Sequence, residues 1–127
     1  GVTVNFYSQG LTAIPSDITS TVTKLGLYDN QITAIRQSDL NDKYPDLDFI
    51  GMLHNRVASV EVGCFKGTAL TGISLNFNKL TTFPDFREVK DTLASVKLAS
   101  NSIVKVSSEE ISYLSKLTSL NLKGNPL

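Results

Sequence analysis

The stretch LTGISLNFNKL, residues 70–80, decides the fold of this 127-residue chain. Its apolar side chains begin in alternation and then break from it, at Leu70, Ile73, Leu75 and Leu80. A plain strand would alternate throughout, and a helix would repeat its apolar residues every three or four positions. Asn78 lies where the pattern changes, so the first question is whether this residue serves structure or chemistry.

The same pattern returns along the whole chain. Close copies are VTKLGLYDNQI (22–32), LDFIGMLHNRV (47–57), LASVKLASNSI (93–103) and LTSLNLKGNPL (117–127), and a weaker copy, GVTVNFYSQGL, fills residues 1–11. The polar residue near the end of each copy recurs at spacings of 21, 25, 23, 23 and 24 residues, as Gln9, Asn30, Asn55, Asn78, Asn101 and Asn125. Such regular spacing indicates a repeat protein.

The sequence resembles the leucine-rich repeat proteins, whose motif LxxLxLxxNxL returns about every 20 to 29 residues. The resemblance implies one domain, residues 1–127, with repeats at about 1–21, 22–46, 47–69, 70–92, 93–116 and a partial repeat at 117–127. The implied fold is of the α/β type: a curved, right-handed solenoid with a parallel sheet of about six short strands on its concave face. Irregular, 3-10 or short helical segments are expected on the convex face.

The return segment VEVGCFKGTALTGISL (60–75) carries a Phe that is similar to the core Phe of typical extracellular repeats. The segment LTAIPSDITSTVTKL (11–25) resembles the one that follows the N-terminal cap in extracellular members, which include animal receptors and variable lymphocyte receptors. The capping cysteines of those proteins are missing here. Because the final repeat stops at NLKGNPL without a return segment, we expect the chain to be a fragment of a longer one. Its open end could also support self-association.

The recurring Asn is expected to be structural. Where the chain leaves a strand, backbone groups lose their partners in the sheet. An Asn side chain offers two donors and an acceptor to such groups. We therefore expect a ladder of inward-pointing side chains at Asn30, Asn55, Asn78, Asn101 and Asn125, with Gln9 departing from the rule at the edge.

Composition excludes several classes of function. Twelve basic residues balance twelve acidic ones, which argues against nucleic acid as a partner because phosphate binding needs a basic surface. No apolar run is long enough to span a membrane, so membrane attachment would need segments outside this sequence. The single Cys excludes an internal disulfide framework. No cofactor motif is present.

Catalytic and metal-binding residues are sparse. His54 and Cys64 could form a nucleophilic pair, but the repeat pattern places them on different walls, which favours an inert core thiol. An acidic cluster at Asp39, Asp42, Asp46 and Asp48, and the pair Glu109–Glu110, lack the glycine and closing Glu of a calcium loop. The sequence predicts neither an enzyme nor a metal site.

Function is therefore expected on the outward positions of the concave sheet. The candidate ligand-binding residues gather on the first four repeats: Tyr7, Lys24, Tyr28, Asp29, Phe49, Leu53, His54, Asn76 and Phe77. Exposed aromatic residues beside charges are typical of interface centres. In the alternative interpretation, the aromatic side chains only cover the sheet, and Gly26 and Gly51 between them either admit a partner or reflect tolerance.

These features predict a non-catalytic recognition module that binds a protein or glycan ligand. An extracellular receptor, adhesion or immune-recognition protein, at the cell surface or secreted, is the expected context. An intracellular, cytoplasmic scaffold or adaptor, or a self-associating structural piece, is the alternative that the missing cysteine caps leave open.

Overall fold

The computed structural model describes all residues from Gly1 to Leu127. One strand from each repeat enters a six-stranded sheet: β1 (Thr3–Asn5), β2 (Lys24–Gly26), β4 (Phe49–Gly51), β6 (Gly72–Ser74), β7 (Ser95–Lys97) and β8 (Ser119–Asn121). The strands pair in this order and every pair is parallel. The solenoid with six short parallel strands that the sequence predicted is confirmed.

The strands are short because each must turn off the sheet after three residues. Their central apolar residues stack in register, with Leu25 opposite Ile50, Ile50 opposite Ile73, and Ile73 opposite Val96. All of these side chains are at most 1% exposed. No repeat could bury such a face by itself, so neighbouring repeats stabilise each other.

The convex wall is more varied than the expected irregular and helical segments. It holds helix α1 (Gln37–Leu40), a 3-10 helix (Arg87–Val89) and helix α2 (Ser108–Ile111). It also holds a second, two-stranded parallel sheet of β3 (Ala34–Ile35) and β5 (Ser59–Val60), which the sequence did not predict. No helix combines the length and the apolarity needed to cross a membrane.

The core lies between the two walls as one cluster of 27 buried apolar residues. Phe65 and Phe86 stack there with their ring centroids 5.6 Å apart, and Phe83 meets Phe86 edge-on at 85°. Cys64 is a fully buried member of this cluster, and burial raises the pKa of its thiol to about 12. Since the thiolate is the reactive form, Cys64 is an inert core residue.

Candidate functional site: the concave face and the strand-end edge

The turn that ends each strand determines where the candidate residues lie. At Asn78, the side-chain oxygen accepts from the backbone N–H of Val57 at 2.9 Å, and the amide donates to the carbonyls of Met52 and Leu75, each at 3.0 Å. Met52 and Val57 belong to the preceding repeat, so one side chain joins two repeats. Related bonds are made by the other members of this asparagine ladder: Asn30, Asn55, Asn101 and Asn125.

The residue directly before each ladder position adopts a left-handed backbone. This left-handed row consists of Ser8, Asp29, His54, Phe77, Ser100 and Gly124, with φ between 53° and 78°. The conformation reverses the chain sharply enough for the next side chain to enter the interior. Asp, His and Gly are common in this region, whereas a bulky aromatic such as Phe77, at φ 59°, is a genuine outlier.

Four of the candidate residues surround a small concave cavity. Tyr7 stacks on Tyr28 with ring centroids 5.1 Å apart and an interplanar angle of 19°. These two rings, Lys24 and Phe49 line a space of about 130 Å³, together with Thr3 and Asn5. We refer to Tyr7, Tyr28 and Phe49 as the aromatic patch. Tyr7 is 47% exposed and is its most accessible member.

The glycines of the concave face make room for these aromatic rings, because they have no Cβ atom. A Cβ atom on Gly51 would lie 2.5 Å from Cζ of Tyr28, and one on Gly26 would lie 2.8 Å from Cε1 of Tyr7. Phe49 lies over Gly72 in the same way, at 3.2 Å. Each ring therefore lies over a glycine of the following repeat. The glycines therefore make room for aromatic rings of the chain itself, a role that was not predicted from the sequence.

Charges within the site are partly neutralised. The Nζ atom of Lys24 lies 3.0 Å from a carboxylate oxygen of Asp48, in an ion pair whose side chains remain accessible to solvent. Asp29 accepts a hydrogen bond from the hydroxyl of Ser8 at 2.8 Å. Burial, followed by the neighbouring Tyr7, raises the pKa of Tyr28 above its ordinary value of 10.0. Tyr28 therefore keeps its hydroxyl proton at physiological pH and can donate a hydrogen bond.

A second group of candidate residues lies along the strand-end edge. His54 stacks on Phe77 with ring centroids 4.6 Å apart and an interplanar angle of 22°, and Phe77 is 49% exposed. With Asp29 they line an open cavity of about 410 Å³. We call this cavity the polar trough. Its remaining lining comes from Ser8, Gly10, Asn30, Gln31, Asn55 and Arg56.

The structure separates the candidate residues into these two groups and leaves two others apart. Leu53 and Asn76 are both half-buried, and they line neither of the two cavities. The side-chain oxygen of Asn76 accepts from the backbone N–H of Ala99 at 2.8 Å, which ties it to the next repeat. Gln31 and Arg56 were not predicted as site residues, because the sequence-based candidates were taken only from positions before each ladder Asn. Their shared place, one residue after a ladder Asn, is the signal that could have identified them.

The acidic cluster of the sequence is dispersed among separate partners. Asp39 is 6% exposed, and its carboxylate accepts from the backbone and the guanidinium of Arg36. Asp42 pairs with Lys66 at 3.5 Å, and Asp48 pairs with Lys24. No group of three His, Cys, Asp or Glu side chains is placed to hold a metal ion.

Known proteins resemble this chain in sequence and in fold. Bovine asporin is 34% identical over 97 residues, which cover 76% of this chain and 26% of asporin. Human leucine-rich repeats and immunoglobulin-like domains protein 2 is 26% identical over 81 residues, covering 64% of this chain and 8% of that protein. No protein-family model matches the chain.

One solved structure matches almost the entire fold. It is an octameric complex of latrophilin 3, Unc5D and FLRT2, the last represented by its LRR domain. The matched chain has a TM-score of 0.85 and 25% identity, and covers 98% of this chain and 38% of its own length. The chain is a leucine-rich repeat protein. This leucine-rich repeat chain spans about a quarter of asporin's length, 8% of the human relative's length and 38% of the matched solved chain.

Proposed function

We propose that the chain is a non-catalytic recognition module that binds a protein partner on its concave face, within an extracellular or cell-surface protein. The observation that carries the proposal is a pair of prearranged aromatic stacks on the first four repeats. Tyr7 on Tyr28 and Phe77 on His54 each present one ring that is about half exposed. The proposed surface comprises the aromatic patch with Lys24, Asp29, Leu53, His54, Asn76 and Phe77.

Aromatic anchors of this kind favour binding for two reasons. Tyr and Phe bring large contact areas, and such residues dominate the energetics of protein interfaces. Here the rings are already held by stacking and by the glycines beneath them, so little side-chain entropy is lost when a partner binds. The last two strands present small or flexible outward residues instead, such as Ser95, Lys97 and Ser119.

The backbone of Phe77 adds a further argument. Left-handed geometry in a non-glycine residue costs about 1–2 kcal/mol, and it is hardest to accommodate for a bulky side chain. Five other repeats fill the same position with Ser, Asp, His or Gly. An unfavourable aromatic residue at an exposed position points to a role outside folding.

The extracellular context is supported by the domains that accompany leucine-rich repeats in the similar proteins. One relative combines leucine-rich repeats with immunoglobulin-like domains, and the matched structure is a complex that also contains Ig and TSP1 domains. Immunoglobulin-like sandwiches are widespread among cell-surface domains. The same complex is an assembly of several proteins, which favours a protein over other classes of partner.

The test is a binding screen followed by one double variant. The chain would be screened by biolayer interferometry against purified extracellular domains, and the Kd of the strongest binder would be measured. Replacing Tyr28 and Phe49 together by Ala is expected to weaken that binding by about 2 kcal/mol, or roughly thirtyfold in Kd. The physical reason is the loss of both ordered anchors at the centre of the surface.

A matched control separates this effect from damage to the fold. Ser95→Ala with Lys123→Ala changes residues of the last two repeats, outside the proposed surface, and is expected to leave the Kd unchanged. Circular dichroism would establish that both double variants are folded at the assay temperature. Equal affinity of the Tyr28/Phe49 variant and the control would refute the proposed surface.

A further inference from the structure

The polar trough differs from the aromatic patch in its chemistry. Of the nine residues that line it, Phe77 is the only hydrophobic one. Small apolar ligands need sites that enclose most of their surface, which a polar and open cavity of this kind cannot offer. Its occupant should instead be a polar molecule that stays largely in contact with water.

Two rows of residues form the walls of the trough. One wall is the left-handed row from Ser8 to Phe77, and the other consists of the residues just after the ladder, Gly10, Gln31 and Arg56. Members of each row come from successive strands and so follow one another at about 4.8 Å. Between the rows lie Asn30 and Asn55, whose side chains are occupied by the ladder bonds.

The side chains on the walls retain free hydrogen-bonding groups. Arg56 takes part in none of the four ion pairs of the chain, and its guanidinium has no hydrogen-bond partner. The side-chain amide of Gln31 is likewise unengaged. Asp29 receives one hydrogen bond, from Ser8 to Oδ2, and its Oδ1 remains available. The trough thus offers strong donors on one wall and a strong acceptor on the other.

The charges of the two walls cancel. Asp29 and Arg56 carry opposite charges in different rows and are not ion-paired with each other. A sulfated or phosphorylated group would be attracted by Arg56 and repelled by Asp29, which lines the same cavity. A hydroxyl group both donates and accepts, so vicinal hydroxyls can satisfy a guanidinium and a carboxylate without bringing a charge.

We propose that the polar trough binds a neutral saccharide unit of a glycan. The hydroxyls of the sugar bond to Arg56, Asp29 and Gln31, while its C–H groups contact the stacked rings of His54 and Phe77 that line the trough. The site adjoins the proposed protein-binding surface and shares Asp29, His54 and Phe77 with it. The two sites can be tested separately, because none of the nine residues that line the trough belongs to the aromatic patch.

Saturation-transfer NMR would test this with three neutral probes: lactose, chitobiose and mannobiose at millimolar concentration. At least one is expected to receive saturation from the chain. Arg56→Ala and Asp29→Asn should each weaken its binding about tenfold or more, since each removes a charged hydrogen-bonding partner. Both residues are exposed, and Asn is well tolerated at the left-handed backbone of position 29, so the variants should fold.

Matched variants and probes make every outcome decisive. Lys79→Ala, one repeat further along the same row and outside the trough, should leave the affinity unchanged. The Tyr28/Phe49 double variant should also retain sugar binding, which keeps this test separate from that of the aromatic patch. The proposal is overturned if no neutral probe binds, or if Arg56→Ala and Asp29→Asn bind as well as wild type. It is also overturned if only a heparin disaccharide or the zwitterion glycylglycine binds.

Discussion

Two rows of residues run side by side along this solenoid, the asparagine ladder and the left-handed row directly before it. The ladder residues of the middle repeats, Asn30, Asn55, Asn78 and Asn101, are 5–7% exposed and occupy equivalent surroundings. Their neighbours in the left-handed row point outward and range from Ser to Phe at nearly constant φ. Where buried backbone groups need hydrogen-bond partners, the fold requires Asn as the side chain. Where the side chain meets water, the fold requires only the left-handed backbone conformation.

The sharpest way to break the ladder is Asn78→Ala. The change leaves the N–H of Val57 without a partner. The carbonyls of Met52 and Leu75 each lose one of two hydrogen bonds and keep those from Asn55 and Asn101. We expect the free energy of unfolding to fall by about 1–3 kcal/mol, because buried polar groups lose their hydrogen bonds. Urea denaturation followed by circular dichroism measures this.

The matched control for the ladder is Asn121→Ala. Asn121 is exposed, and its side chain accepts a hydrogen bond only from the nearby N–H of Lys123, so the loss of that side chain should cost little. If both variants unfolded at the same urea concentration, position 78 would have no special role in satisfying the interior.

Gly51→Ala tests the outward face without removing any side chain. The added methyl would lie 2.5–2.6 Å from ring atoms of Tyr28. The ring must therefore move away from position 51 and lose its stacking on Tyr7. We expect a loss of about 1 kcal/mol, the usual worth of an aromatic pair. Tyrosine fluorescence quenching by acrylamide should rise in parallel as Tyr28 becomes exposed.

Gly72→Ala provides the graded comparison for that variant. Its methyl would lie 3.2 Å from Cδ1 of Phe49, a contact that a small shift can relieve. A smaller loss of stability is therefore expected than at Gly51. Equal losses would mean that the glycines matter through backbone freedom and not through the rings that lie over them.

Phe77→Asn is the mildest change and should act in the opposite direction. Asn tolerates left-handed geometry, whereas Phe is strained there and recovers only part of that cost by stacking on His54. We expect the free energy of unfolding to rise by about 0.5 kcal/mol and partner binding to weaken. Ser100→Asn, in the same row, places Asn in the same backbone conformation without removing a ring and should leave partner binding unchanged. A destabilised Phe77→Asn would show that the stack outweighs the strain.

The sequence predicted the six strands well because their determinants are periodic. Leu25, Ile50, Ile73 and Val96 recur in one register, and a period is visible without knowledge of the packing. The second sheet at β3 and β5 was missed because it is two residues long and belongs to only two repeats. No period marks it.

The candidate site was predicted only in outline. Its aromatic residues could be recognised by type and position, but their division between the aromatic patch and the polar trough depends on how the chain turns after each strand. The left-handed conformation of Asp29, His54 and Phe77 could not be predicted from a recurring residue, because these three repeats have different residue types at this position. The role of Gly51 depended on the direction in which Tyr28 leans, which only three-dimensional packing reveals.

The overlap of each aromatic ring with the glycine of the following repeat has a consequence for how this surface can change. Three pairs of a ring and a glycine cross repeat boundaries: Tyr7 with Gly26, Tyr28 with Gly51, and Phe49 with Gly72. A middle repeat transplanted alone would be separated both from the glycine under its own ring and from the ring over its own glycine. Diversity on this face should therefore be inherited and engineered in units of two adjacent repeats.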